Sequence, residues 1–225
     1  MRTKPQDDDH VGFSGWRLLG LGFWQAWWMI SMCTDVLLPT TDRFPFAGNT
    51  TLWVLVLTTV GYLVVVALAR RLSPFLTHRA SFLAAGGLTA AGTVTLPIAL
   101  TLGSGAAGFA WFLAGTVSLS LGNALLLIMW GELYKYLDPK GEQLLVTLSA
   151  ATLAVVAYLV EILLPAPLSV AMFAMLPLVS LGSLAGARSR LVGSSGAWRA
   201  KGDSANRKSP ALFFVCIAVF SIPCN

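Results

Sequence analysis

The chain has 225 residues, of which 56% are hydrophobic and 11% charged. Soluble domains carry about 25% charged residues, so this composition excludes a water-facing globular surface and calls for lipid as the solvent. The net charge of +5 sits in short segments between apolar runs, which argues against direct nucleic-acid binding by this chain.

The N-terminal tail, residues 1–15, places Arg2 and Lys4 before Asp7, Asp8 and Asp9. No small-x-small cleavage site follows the first apolar run, so that run reads as an anchor rather than a signal peptide. A spanning helix needs about 20 mainly apolar residues at 1.5 Å each. Six stretches qualify: Trp16–Leu38, Thr50–Ala69, Ala80–Leu102, Ala106–Trp130, Gln143–Leu164 and Ala166–Ala187. The expected fold is all-α and polytopic, with a six-helix membrane domain over residues 16–187. Turn residues mark the breaks: Pro39 to Asn49, Ser73-Pro74, Gly103-Ser104-Gly105, Asp138-Pro139-Lys140-Gly141 and Pro165-Ala166-Pro167. Residues 188–210 hold six Lys or Arg and Gly193-Ser194-Ser195-Gly196, and read as a solvated linker. The last apolar run, Ala211–Pro223, supplies only about 20 Å of helix. Residues 211–225 are therefore expected to form an incomplete seventh segment.

Charge placement sets the orientation. With the N-terminus in the cytoplasm, 14 of the 15 Lys and Arg residues fall on the inner side and only Arg43 outside. The chain is expected in the inner membrane. Six spans divide into two sets of three that enter from opposite sides. That is the inverted three-plus-three topology found in each half of a major facilitator transporter.

In lipid, helices associate through close backbone contact, which small residues permit. Ala106, Ala110, Ala114, Ser118 and Gly122 recur every four residues in the fourth span, and Gly182-x-x-x-Gly186 closes the sixth. Both are expected to be packing faces. Trp16, Trp111 and Trp130 fall near span ends and fit an interfacial aromatic belt. Gln25 and Asn123 are amides within spans, expected to bond between helices.

Ionisable groups within a membrane are costly and draw functional hypotheses. Asp35 lies near the outer end of the first span and Glu161 near the outer end of the fifth. Trp24, Trp28 and Ser31 share a helical stripe with Asp35, and Thr147, Ala154 and Tyr158 share one with Glu161. Asp35, Glu161, Trp28 and Tyr158 would together suit a cationic or amine ligand, or protons. The other reading leaves each acid separately in interfacial water. The cysteines Cys33, Cys216 and Cys224 show no zinc or redox spacing, and His10 and His78 are isolated. No metal, cofactor or enzymatic motif is expected.

The fourth span closes on Asn123-Ala124-Leu125-Leu126-Leu127-Ile128-Met129-Trp130-Gly131-Glu132-Leu133-Tyr134. This resembles the apolar-Trp-Gly-Glu-aromatic pattern of membrane-bound LuxR-type regulators of gut actinobacteria, with Trp130, Gly131 and Glu132 as the motif. The resemblance covers roughly residues 16–220. It implies a transporter-like twelve-span sensor that ends in a cytoplasmic helix-turn-helix domain. On that reading these residues are a truncated N-terminal sensor half without DNA-binding sequence; half of a secondary transporter is the alternative.

The topology is testable. In a background freed of native cysteines, Ser73→Cys, Asp138→Cys and Ser195→Cys should react with impermeant thiol reagents only after permeabilisation. Gly48→Cys and Gly103→Cys should react in intact cells. Outer-face labelling at position 195 would refute the orientation.

Overall fold

The computed structural model describes residues 19–33, 44, 50–72, 74–134, 137 and 142–193. The tail, the first loop apart from Phe44, most of the linker and the seventh apolar run lie outside these residues. Among the described residues there are six α-helices and no strand: α1 (Gly20–Cys33), α2 (Thr50–Leu72), α3 (Arg79–Thr101), α4 (Ala106–Tyr134), α5 (Glu142–Leu163) and α6 (Ala166–Gly193). A 3₁₀ turn, Phe75–Thr77, lies between α2 and α3. Helices α2 to α6 are each long and apolar enough to cross a membrane. The described part of α1 has 14 residues, and most of the remainder of the expected first span falls outside the described residues.

Expected starts hold at Thr50, Ala106 and Ala166, but several helices outrun their apolar stretches. α2 continues through Arg70 and Arg71, α4 through Gly131 to Tyr134, and α6 six residues past Ala187 to Gly193. The helical ladder needs no apolar side chain to continue into polar surroundings. Residues 188–193, expected in the linker, therefore belong to α6. The turn before α4 is as tight as expected, and Gly103 takes the left-handed φ of 79° that a Cβ disfavours.

α4 is the central helix: 61% of it is buried, against 22% to 39% for the other four long helices. The principal helix pairs are α3–α4, α1–α5, α2–α4 and α1–α6, with α3–α6 a smaller one. Exchanging the first three helices for the last three maps this set onto itself. α1–α5 becomes α4–α2, α1–α6 becomes α4–α3, and α3–α6 returns to itself.

The α3–α4 pair shows how backbones reach contact. A Cβ on Gly92 would stand 2.7 Å from the Leu119 amide nitrogen, and one on Gly115 2.7 Å from the Thr95 hydroxyl. One on Gly122 would stand 2.7 Å from the Thr89 amide nitrogen, and one on Gly108 would run into the Gly103 carbonyl. On α4 the contacting glycines are 108, 115 and 122, seven residues apart, the period of antiparallel helices packed at a shallow angle. This corrects the four-residue stripe. Ala110 and Ala114 are exposed and Ser118 is half-buried, so of the expected face only Gly122 packs tightly within the described chain. Gly182 is also exposed, with open space where a Cβ would stand, while Gly186 is half-buried. Side chains as large as Leu63 and Leu163 face outward, a surface suited to lipid.

Replacing Gly115 by Leu should therefore cost about 1–3 kcal/mol or more, as overpacking does. Ala114→Leu should leave stability nearly unchanged. Thermal unfolding in detergent decides between the two registers, and equal losses would mean that both faces are packed.

Candidate functional site

Polar groups inside the bundle fall at three levels. The middle level lies where hydrocarbon would be deepest. Asn123 is 11 residues from the end of α4 at Tyr134, about 16 Å along the axis and so half the depth of a bilayer core. Its carboxamide oxygen accepts from the Trp24 indole at 2.5 Å, and its nitrogen donates to the Tyr62 hydroxyl at 3.0 Å. One amide thus ties α1, α4 and α2 together. One turn below it on α4, the Ser120 and Thr58 hydroxyls share a bond of 3.1 Å between α4 and α2. Asn123 and Trp24 are buried to 1% and 2% exposure, so each would be costly unpaired. The amide bonds between helices as the sequence indicated. Tyr62 was not legible, because its side of α2 cannot be read from an apolar helix.

At the end where Lys and Arg concentrate, called here the basic end, the Trp130-Gly131-Glu132 segment forms a clamp. All three residues are buried. The two Glu132 oxygens accept the Phe75 and Leu76 backbone N–H groups at 3.0 and 2.9 Å. They cap the start of the 3₁₀ turn between α2 and α3. The Trp130 indole donates to the Ser180 hydroxyl of α6 at 3.0 Å, and its ring lies where a Cβ on Gly20 of α1 would be. Trp130 is therefore no interfacial belt residue. α4 runs on beyond it and carries it into the core, at 2% exposure. Trp111, by contrast, is exposed, as a belt residue would be; Trp16 lies outside the described residues. Alongside, the Gln143 side chain donates to the Tyr134 carbonyl at 3.2 Å, and the Tyr134 hydroxyl pairs with that of Thr147 at 3.2 Å.

From the opposite side, Arg188 of α6 donates through Nη2 to the Thr77 carbonyl at 2.8 Å. Its guanidinium lies 5.2 Å from the centre of the Phe82 ring, within cation–π range. The 3₁₀ turn is thus held by a carboxylate at its positive end and a guanidinium at its negative end, the sense its dipole favours.

At the far end, Glu161 is buried to 5% exposure and accepts from the Ser169 hydroxyl at 2.5 Å. The α5–α6 connection is only Leu164 and Pro165. Four residues before and four after Pro165 therefore sit level, and Ser169 was legible on that count. Trp28 is buried at 8%, and Tyr158 packs half-buried against the same apolar cluster, with Trp27, Ala157 and Phe173. The structure thus brings Trp28 and Tyr158 into one cluster. It places Glu161 one turn along α5 from Ala157. Asp35 lies outside the described residues. The indole nitrogens of Trp27 and Trp28 are buried without a hydrogen-bond partner. No group of His, Cys, Asp and Glu able to hold a metal occurs among the described residues.

Comparison with known protein families, curated proteins and solved structures gives no match for this chain.

The clamp predicts a graded result. Glu132→Ala leaves two buried N–H groups without their acceptors, at about 1–3 kcal/mol each, and should lower the unfolding temperature more than Glu132→Gln, which keeps one acceptor oxygen. Equal behaviour of the two variants would show that the turn is held by other contacts.

Proposed function

We propose that this chain is the membrane sensor half of a LuxR-type transcriptional regulator, seated in the inner membrane with its basic end in the cytoplasm. It takes no direct part in DNA binding. The observation that carries the reading is the position of the motif on which the resemblance rests. Trp130 and Glu132 join α1, α4, α6 and the α2–α3 turn at the end from which a cytoplasmic domain would be driven. The self-mapping set of helix pairs supports a facilitator-like architecture, since an inverted three-plus-three repeat requires it. The same pairing favours half of a secondary transporter equally well, and that is the second reading. The coding sequence following residue 225 separates them. Further spans and then a helix-turn-helix fit the regulator, whereas further spans alone fit the transporter.

The ligand in this reading is a cation or amine bound near Glu161, with Trp28 and Tyr158 supplying aromatic surface and Asp35 the second acid. A carboxylate paired to a single serine hydroxyl keeps acceptor capacity for such a ligand. A ligand that binds only the folded protein raises its unfolding temperature by mass action. In a screen of amines and inorganic cations against the parent, hits should appear, and Glu161→Gln should weaken their effect about tenfold or more in apparent affinity, the loss of one charge-assisted contact. Hits that act equally on the parent and on Glu161→Gln would remove Glu161 from the site.

A further inference from the structure

Among the described side chains, three arginines lie around the α2–α3 connection. Arg71 lies in the last turn of α2, Arg79 opens α3, and Arg188 reaches across from α6 to Thr77, two residues before Arg79. Arg71 and Arg79 are exposed, as is His78 between Thr77 and Arg79. Glu132 gives its two oxygens to the Phe75 and Leu76 N–H groups of this turn. Arg188 is not simply extended toward water. The Thr77 carbonyl and the Phe82 ring hold its guanidinium across the surface between α3 and α6. Its Nε is buried without a hydrogen-bond partner. A planar guanidinium held in place beside two exposed arginines matches a phosphate.

We propose that this interhelical surface binds the phosphate of an anionic lipid, with Arg188 as the oriented contact and Arg79 and Arg71 as flanking charges. The proposal rests on the membrane reading above, which places these groups at headgroup depth, where basic surfaces between transmembrane helices meet anionic lipids. A lipid is favoured over a soluble phosphate because all three cations lie at the ends of membrane-length helices. The guanidinium also lies over Phe82, whose apolar ring suits the start of an acyl chain. The lipid would bridge α6 to the α2–α3 connection, adding to the grip that Arg188 already has on the turn.

The test uses the full chain in nanodiscs of phosphatidylcholine, with and without phosphatidylglycerol, read by thermal unfolding. The parent should unfold at a higher temperature with phosphatidylglycerol, and raised salt should reduce the gain. Arg188→Gln and Arg79→Gln should each lose about 2–4 °C of that gain. The comparison is made within each variant, so the basal destabilisation expected for Arg188→Gln cancels, and Arg79→Gln, at an exposed position, folds as the parent. Arg199→Gln, in the basic linker, should keep the gain. Equal losses in the Arg188, Arg79 and Arg199 variants would mean diffuse surface attraction and overturn the proposal. So would an equal gain from free glycerol phosphate in phosphatidylcholine discs. Failure of the chain to stay with membranes after carbonate washing would refute the membrane reading itself, a result separable from any lipid preference.

Discussion

Hydrocarbon cannot hydrogen-bond, so each polar group carried into it must find a partner within the protein or cost several kcal/mol. The side chains of this bundle are arranged around that constraint. Several of its hydroxyls turn back on their own helices: Thr89 to the Ala85 carbonyl, Thr116 to Phe112, Ser120 to Thr116 and Thr59 to Leu55. A residue satisfied in this way can face lipid or a neighbouring helix at little cost. Asn123 cannot be satisfied locally, since it brings two donors and an acceptor, and it therefore dictates which helices surround it. Its bonds to Trp24 and Tyr62 set α1 and α2 on either side of α4.

The second requirement is close approach, because lipid supplies no hydrophobic drive to pull apolar helices together. Dispersion must do that work, and it decays over less than an ångström of gap. Hence glycines stand at the tight contacts, such as Gly92 and Gly115 between α3 and α4 or Gly22 against the Ala150 backbone between α1 and α5. The α3–α4 contacts seat α3 against α4, the most buried of the five long helices, whose Tyr134 end carries the clamp.

Much of this was legible in the sequence, and the part that was not has a physical reason. Among the described residues, the order of the helices and the starts at Thr50, Ala106 and Ala166 follow from apolar length. The tight turn at Gly103 and the level pairing of Glu161 with Ser169 follow from connection length. The packed face of α4 did not follow. With apolar residues on every side, the helix has no amphipathic stripe to orient it, and the series 106, 110, 114, 118, 122 looks as regular as 108, 115, 122. Only the difference between alanine and glycine separates them, one methyl group that decides whether backbones can touch. Trp130 was misplaced because the apolar run ends there while the helix does not. The Glu132 clamp was invisible because its partners, Phe75 and Leu76, lie 57 and 56 residues away and are backbone groups.

The two ends of the bundle are held by different physics. At the basic end the contacts are directional: Glu132 and Arg188 grip opposite ends of one three-residue turn, and Gln143 and Tyr134 bond across the α4–α5 connection. At the other end one directional bond, Ser169 to Glu161, stands beside contacts that are mainly aromatic and apolar, with Phe44 against Phe109 and Phe112, and Trp27 against Phe173. Aromatic faces slide and tilt at small cost within a broad range of geometries, whereas a bidentate carboxylate tolerates little displacement before a bond is lost. A perturbation at the aromatic end, such as a ligand entering beside Glu161, can therefore be absorbed locally or passed along rigid helices. In the second case it arrives at a junction whose directional bonds tolerate little displacement. Under the proposed sensor reading, a stiff junction joined to a more yielding end by α4, α5 and α6 would turn a graded displacement into a discrete one.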